Sequence, residues 1–331
     1  MSARILHRFP GGLHLEQHKS ESNAAPIRRA AMPQYLQLPL KQHIGSAAEP
    51  VVKVGERVLR NQCLARADGY VSAPVHAPSS GVIVAIETMA VPHPSGLRAP
   101  CIVLQTDGLD EPMQAFTPWA DFTAITPLLL RERVREAGVV GLGGAVFPSA
   151  VKLAGTPGTP MHTVLLNGAE CEPYITCDDR LMRERAEEVL RGGQILLHVL
   201  GAQTCLIGVE DNKPEAIAAL RAALMTLDDA RFELVSIPTL YPSGAEKQLI
   251  YILTGEKISR EMRVTERGFL GHNVATAAAI YRAVVLGEPV TRRVVTVTGS
   301  GVMSPGNWDA PIGMLASDLI AQAGEIGRAH V

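Results

Sequence analysis

The sequence predicts an α/β chain of several domains. A central region alternates helices with strands, a small all-β unit precedes it, and a short strand–turn–helix unit follows. Three observations carry this reading. From about Thr126, apolar β-branched runs alternate with helical patterns, which implies a mostly parallel sheet covered on both faces. Between 37 and 106, short β-prone runs are punctuated by Gly and Pro at strand spacing. The length, 331 residues, calls for two or three domains. The 30 Gly and 23 Pro, set against six Phe, six Tyr and two Trp, favour short strands and turns over a plain helical bundle.

Composition excludes several function classes. Apolar residues make up 47% and charged residues 19%, enough for a sizeable core and against general disorder. The 31 Lys and Arg against 33 Asp and Glu leave a net charge of −2, so no nucleic-acid partner is expected. No run of 18 apolar residues offers a membrane span, and Met1-Ser2-Ala3-Arg4 leads into no apolar stretch of a secretory signal. Five cysteines, Cys63, Cys101, Cys171, Cys177 and Cys205, fit a reducing compartment better than a disulfide scaffold. Without any Cys-x-x-Cys, no zinc ribbon or iron–sulfur cluster can be read from local spacing.

The elements follow in order. Residues 1–36 read as polar and irregular. The β unit contains a strand over 51–59, another at Gln62-Cys63-Leu64-Ala65 and a third at Val82-Ile83-Val84-Ala85-Ile86. This stretch resembles the barrel-sandwich fold of lipoyl and biotinyl carrier domains, on Val54-Gly55-Glu56-Arg57-Val58 and on residues 73–82. The hairpin that bears the modifiable Lys in those domains is here Ala67-Asp68-Gly69-Tyr70 and has none, so a docking domain is expected. The α/β region predicts a helix from Pro127 to Ala137, a strand ending at Asn167-Gly168, and a helix from Asp178 to Gly192. A strand at Thr204–Val209, a helix from Pro214 to Leu227 and a strand at Phe232–Ile237 follow. The last unit opens with Val294-Val295-Thr296-Val297, turns at Ser304-Pro305-Gly306, and closes with a helix from Met314 to Ala323. Residues 327–331 carry no pattern. Domain bounds are expected at 1–120, 121–290 and 291–331.

Four motifs carry chemistry. The densest is Gly141-Leu142-Gly143-Gly144-Ala145-Val146-Phe147-Pro148, followed at short range by Lys152. Three glycines in four residues let backbone approach a ligand where a Cβ would collide, and their N–H groups can hold a phosphate. Lys152 supplies a cation for that phosphate or a flavin edge. The loop is neither a dinucleotide fingerprint, since Val146 takes the third glycine position, nor a P-loop. A plain structural turn is the alternative. The second motif, Asn167-Gly168-Ala169-Glu170-Cys171-Glu172-Pro173, extended by Asp178-Asp179-Arg180, follows a strand, at the end where open α/β sheets bind ligands. Cys171, between two acids, reads as a packing residue rather than a nucleophile. The third, Tyr241-Pro242-Ser243-Gly244-Ala245-Glu246, again puts an acid at a sheet end. In the fourth, Gly271-His272-Asn273-Val274-Ala275-Thr276, Asn273 caps a helix or reaches a ligand, and His272 reads as a surface or capping residue.

The order of these motifs resembles the flavin- and NADH-binding member of respiratory complex I, and more closely the RnfC family of the Rnf electron-transport complex. Phe9-Pro10-Gly11-Gly12-Leu13-His14, the carrier-like unit and Ser304-Pro305-Gly306 extend the resemblance over nearly the whole chain. It implies a Rossmann-like FMN/NADH-binding domain, preceded by the barrel-sandwich domain and followed by the start of a β-grasp domain of SLBB type. It implies that Gly141, Gly143, Gly144 and Lys152 cradle FMN, with Ala145 in the same loop. Asn167, Glu170, Asn273 and Thr276 are further flavin contacts. Glu172 and Glu246, with Gly244, lie near the nicotinamide nucleotide, and Phe147 stacks on a base. The implied chemistry is hydride transfer from NADH to the flavin, or the reverse, with electrons leaving singly toward ferredoxin or another acceptor. The implied place is peripheral, on the cytoplasmic side of the bacterial inner membrane, docked on the other Rnf proteins.

Departures from the complex I relative touch the nucleotide contacts more than the flavin contacts: Leu142, Val146, Ala169, Tyr174 and Ala245. The family's two Cys-x-x-Cys-x-x-Cys-x-x-x-Cys-Pro runs are absent, so four-iron four-sulfur clusters are expected only in sequence outside this chain. A rival class is a non-catalytic scaffold or quinone-binding protein, similar to the first subunit of sodium-pumping NADH:quinone reductase. The intact glycine loop with Lys152, Glu170 and Glu172 weighs against it. Flavin reductases of the cobalamin-reductase type resemble the chain less, because they place the carrier-like domain after the flavin domain.

Overall fold

The computed structural model describes residues 4–92 and 96–326. The first strands in chain order are β1 (Arg28–Arg29), β2 (Tyr35–Pro39), β3 (Glu49–Pro50), β4 (Arg57–Val58), β5 (Cys63–Arg66), β6 (Val75–His76), β7 (Gly81–Ala90) and β8 (Arg98–Thr106). The α/β region adds α1 (Pro127–Glu136), α2 (Ser149–Lys152), β9 (Thr163–Gly168), α3 (Cys177–Glu184), α4 (Ala186–Leu200) and β10 (Thr204–Glu210). It continues with α5 (Pro214–Leu227), β11 (Phe232–Ile237), α6 (Glu246–Thr254), β12 (Phe269–Asn273) and α7 (Val274–Tyr281). The chain closes with β13 (Arg292–Val297), β14 (Gly306–Pro311) and α8 (Ala316–Gln322). The unpatterned 327–331 and the start at Met1-Ser2-Ala3 lie outside the described residues.

The α/β sheet has the order β11-β10-β9-β12, every pair parallel. Its strands alternate between two cores. Val164 and Leu166 of β9 join Cys205, Ile207 and Val209 of β10 under α1, α3, α4, α5 and α7. Leu165 and Leu206 face the other way, onto Ile237 and the α6 residues Leu249, Ile250 and Leu253. A strand buried on both faces needs apolar residues at consecutive positions, which is why this run looks continuous in sequence. From β9 the chain moves to β10 and then β11 on one side, and returns to pair β12 on the other. The direction therefore switches between β9 and β12, the position where open α/β sheets form a ligand crevice at the strands' carboxyl ends.

The sequence predicts one long helix from Asp178 to Gly192. The structure breaks it at Arg185 (φ −132°, ψ 34°) and carries the second helix on to Leu200. Arg185 leaves the helical path as its guanidinium reaches Asp309 at 2.8 Å. Gly192 reads as a helix end because glycine disfavours helix interiors. It is there for packing: a Cβ on Gly192 would lie 2.0 Å from the Ala277 carbonyl oxygen, so only glycine lets α4 lie against α7.

The all-β unit is a sandwich of β2-β8-β7-β4 and β3-β5-β6, with Leu36, Leu38, Leu64, Ile83, Ile102 and Leu104 between the layers. The single strand expected over 51–59 is reduced to the pair Arg57–Val58, because a turn at Gly55 (φ +88°) interrupts the run. The lysine-free hairpin is docked on the α/β domain. Arg135 of α1 donates to the carbonyls of Gly69 (2.7 Å) and Tyr70 (3.4 Å). In the third unit β13 pairs antiparallel with β14, α8 covers Trp308 and Val297, and β1 adds in parallel to β14. Residues 4–27 do not join the sandwich. They run over the α/β domain, where the Leu13 and Tyr241 backbones exchange hydrogen bonds of 2.8 and 2.9 Å.

Candidate flavin site at the sheet switch point

The glycine loop is pinched at its base and open at its tip. Val140 bridges Pro148, and the Gly141 amide donates to the Phe147 carbonyl at 2.9 Å. Thr276, buried in α7, accepts the Leu142 amide at 2.9 Å, and Arg293 donates to the Leu142 carbonyl at 3.1 Å. Between these ties Gly143, Gly144 and Ala145 are exposed, while Val146 and Phe147 are half-buried. The N–H groups of Gly143, Gly144, Ala145 and Val146 find no acceptor among the described residues. Gly144 (φ +102°) has no atom within 4 Å of where a Cβ would stand, whereas a Cβ on Gly143 would fall 2.9 Å from the Asn273 side chain. Four consecutive free donors beside open space make a receptor for an anion or for the edge of a flat heterocycle.

The other motifs converge on this loop from β9, β12 and α6. Asn273 caps α7, accepting the Ala275 amide at 2.8 Å, and its Nδ2 donates to Asp178 at 2.5 Å. Asn167 accepts the Ala169 amide at 3.1 Å and donates to the Gly244 carbonyl at 2.7 Å, locking the second motif to the third. Lys152 lies at the end of α2. Its Nζ donates to Glu246 Oε1 at 2.6 Å and to the Gly271 carbonyl at 2.5 Å. A Cβ on Gly271 would come 2.7 Å from Glu246 Oε1, so any larger residue there would make the Glu246 carboxylate shift.

Glu170 sits at the buried back of the site with φ +52°. Its carboxylate oxygens accept the Asp178 and Asp179 amides, at 2.7 and 3.3 Å, from the first turn of α3. Burial, and then the charge of Asp178, push the Glu170 carboxyl up to about 8; Lys213 and Lys19 oppose them. Burial also raises Asp178 to about 6 against the Asn273 hydrogen bond. Glu172 points outward from the same loop. Cys171 is buried and packs on Gly244, its thiol raised chiefly by burial, which agrees with a packing role.

His272 departs from expectation. It is neither at the surface nor a cap: β12 buries it, no hydrogen bond reaches its Nε2, and burial followed by the Lys152 charge holds it neutral. Two buried cations escape sequence reading. Lys213 pairs with Glu210 at 3.1 Å just before α5. Lys19 donates to the carbonyls of Glu170, Glu172 and Ile175 at 2.8, 2.9 and 2.7 Å. No sequence signal marks Lys19, because its partners lie more than 150 residues away in an irregular stretch.

The fold and site define a parallel α/β module with an open, amide-lined loop at its switch point, flanked by a barrel sandwich and a β-grasp unit. Residues 134–282 match the Nuo51 FMN-binding domain, 7–109 the RnfC barrel-sandwich hybrid domain, and 294–324 the SLBB domain. The chain is 50% identical over 96% of its length to the C component of the ion-translocating oxidoreductase complex of Pseudomonas aeruginosa. It is 45% identical to that of Haemophilus influenzae, again over 96% of the chain. It spans 41% and 47% of those two relatives, less than half their length. By these matches the chain carries the domains of the RnfC family in order and is similar to its members over nearly its whole length. A crystal structure of an NAD+-reducing NiFe-hydrogenase in the air-oxidized state is similar with a TM-score of 0.56 and 24% identity. That match covers 65% of this chain and 42% of the other, and it shows a shared fold.

Proposed function

We propose that this chain binds FMN at the β9–β12 switch point and exchanges electrons with NADH, as the nucleotide-oxidising part of a membrane-bound, ion-translocating Rnf-type complex. The observation that carries the reading is the row of free N–H groups at 143–146, set beside Asn273 and backed by Glu170. Bound there, FMN would supply the chemistry of accepting a hydride and releasing electrons one at a time.

The chain's own residues supply position and charge. The glycine loop offers donors and steric room for the cofactor. Lys152 contributes a cation beside it. Asn167 and Asn273 fix the two strand ends that form the walls. Glu170, held toward its protonated form, would give the site a neutral donor near neutral pH instead of a second anion beside Asp178. Glu246 at the start of α6, exposed Glu172 and Gly244 face the expected side of the nicotinamide nucleotide, and Phe147 offers an aromatic face at the loop base. Electrons would leave through iron–sulfur centres outside this chain. Among the described residues no helix is long and apolar enough to cross a membrane. On this reading the chain lies on the cytoplasmic side, docked on partner proteins of the complex. The electron acceptor, ferredoxin or another, belongs to that larger assembly.

One observation favours the scaffold reading: Lys152 already spends its charge on Glu246. A titration separates the two. FMN added to the purified chain is expected to lose fluorescence on binding, and anaerobic NADH should then bleach the flavin absorbance. No binding at micromolar FMN would leave the scaffold; binding without bleaching would remove NADH as donor.

A further inference from the structure

The stretch ahead of the barrel sandwich carries no catalytic motif, yet it touches two of the loops that build the site. Leu13 pairs with Tyr241, the first residue of the third motif. Gly12 lies so close to Leu240 that a Cβ would come 2.4 Å from that side chain. Six residues on from Leu13, Lys19 is 6% exposed, and all three of its ammonium donors end on carbonyls of one loop, those of Glu170, Glu172 and Ile175. The Gln17 carbonyl accepts the Tyr174 amide at 2.8 Å, and the His18 ring stacks on Tyr174 at 4.5 Å and 4°. Ser22 donates to the Tyr174 carbonyl at 3.2 Å and lies 2.8 Å from the Thr176 hydroxyl.

The loop needs holding. Glu170 (φ +52°) and Tyr174 (φ +68°) both occupy the left-handed region without being glycine. Such positions persist only where the surroundings over-determine them. Three carbonyls turned inward without water would add desolvation costs that a single ammonium with three donors cancels. Burial works against the charge on this ammonium, Glu170 favours the charge only when ionised, Lys213 opposes it, and Glu210 and Glu172 favour it, so the three carbonyls are what hold the cation in place.

We infer that residues 13–22 form a strap whose Lys19 ammonium sets the conformation of the 170–175 loop, making Lys19 a positioning residue of the site. The inference rests on the flavin reading for its functional consequence and on the hydrogen bonds alone for its structural part. The strap couples the Glu170–Glu172 loop to the Tyr241–Glu246 loop, so both walls of the crevice are fixed by one segment far away in sequence.

The test uses the full chain and K19M, which keeps side-chain bulk and removes the donors. In K19M, amide exchange at 170–176 should rise at least tenfold while β9 keeps its protection. FMN should bind at least tenfold more weakly, and the visible absorbance envelope of the bound flavin should change. Unchanged exchange at 170–176, or a rise spread evenly over the chain, overturns the strap. Unchanged FMN affinity, or an envelope identical to the parent's, leaves Lys19 a structural role only and overturns its positioning role. If the parent itself does not bind FMN, the flavin reading falls, and exchange alone decides the strap. Should K19M fail to fold, Ser22→Ala carries the test: faster exchange confined to 174–177 supports the strap, and unchanged exchange overturns it.

Discussion

Glu170 shows how a single side chain can be tuned by the elements around it. Its carboxyl titrates near 8 in the fold against an ordinary value of 4.5. The folded protein thus holds a proton that the unfolded chain releases across this window. The stabilisation is complete below about pH 4.5 and is lost as pH rises through about 8. Asp178, raised from 3.8 to about 6, adds a slope of the same sign at lower pH. Glu170→Gln removes the titration while keeping the shape, so its stability relative to the parent should climb between pH 5 and pH 8.5. Urea midpoints across that range measure it; parallel curves would mean that Glu170 is ionised throughout. Lys152 and Glu246 form the other residue-scale device. Lys152→Ala should weaken FMN by roughly 1–3 kcal/mol, the worth of a charge-assisted hydrogen bond. Glu246→Gln frees the ammonium, so the two effects should not add. A double-mutant cycle on FMN affinity should return a coupling above about 0.5 kcal/mol, and a value near zero would separate the two residues.

At the scale of elements, local preference and packing pull against each other in α4. Alanine is the better helix former by about 1 kcal/mol, so propensity alone says that Gly192→Ala stabilises. Packing says the opposite, because the new methyl would stand 2.0 Å from the Ala277 carbonyl oxygen. Overpacking of a close contact costs typically about 1–3 kcal/mol and outweighs the helix gain. Thermal melting of the variant should therefore show a net loss, and a gain would mean that α4 can slide on α7. The same close approach explains why the helix end expected at Gly192 is misplaced: a glycine looks alike in sequence whether it ends a helix or admits a neighbour.

Over the whole molecule, the three units are held together by polar contacts that cross between them. Asn307 of β14 is fully buried. It donates to the Ser22 carbonyl at 3.1 Å and to the Thr176 hydroxyl at 2.8 Å, and accepts from Thr296 at 2.7 Å. One side chain thus joins the strap, the approach to α3 and the β-grasp unit. Asn307→Ala strands these partners in the interior, at about 1–3 kcal/mol for each buried group left unsatisfied. Calorimetry should show a lower melting temperature with the β13–β14 unit melting ahead of the rest. A single transition at the parent's temperature would show that water replaces the amide without loss. The docked hairpin, tied to α1 through Arg135, makes the barrel sandwich part of the same body.

The sequence by itself determined the order of the domains, the parallel sheet and the four motifs that meet at its switch point. These are local signals: consecutive apolar residues for strands buried on two faces, glycines where backbone must approach, acids and amides just past a strand. It also supplied the resemblance that joined the motifs to a flavin. Only the tertiary structure decided what each motif residue does. Thr276 braces the glycine loop, Lys152 is paired with Glu246, His272 is buried without a hydrogen bond to its Nε2, and Asp178 is set against Asn273. Lys19 was invisible until the chain closed on itself, since its role depends on three carbonyls and a distance in sequence of more than 150 residues. The physical reason is the same in each case. Periodicity and turn chemistry are written in neighbours along the chain, whereas burial, pairing and protonation depend on neighbours in space.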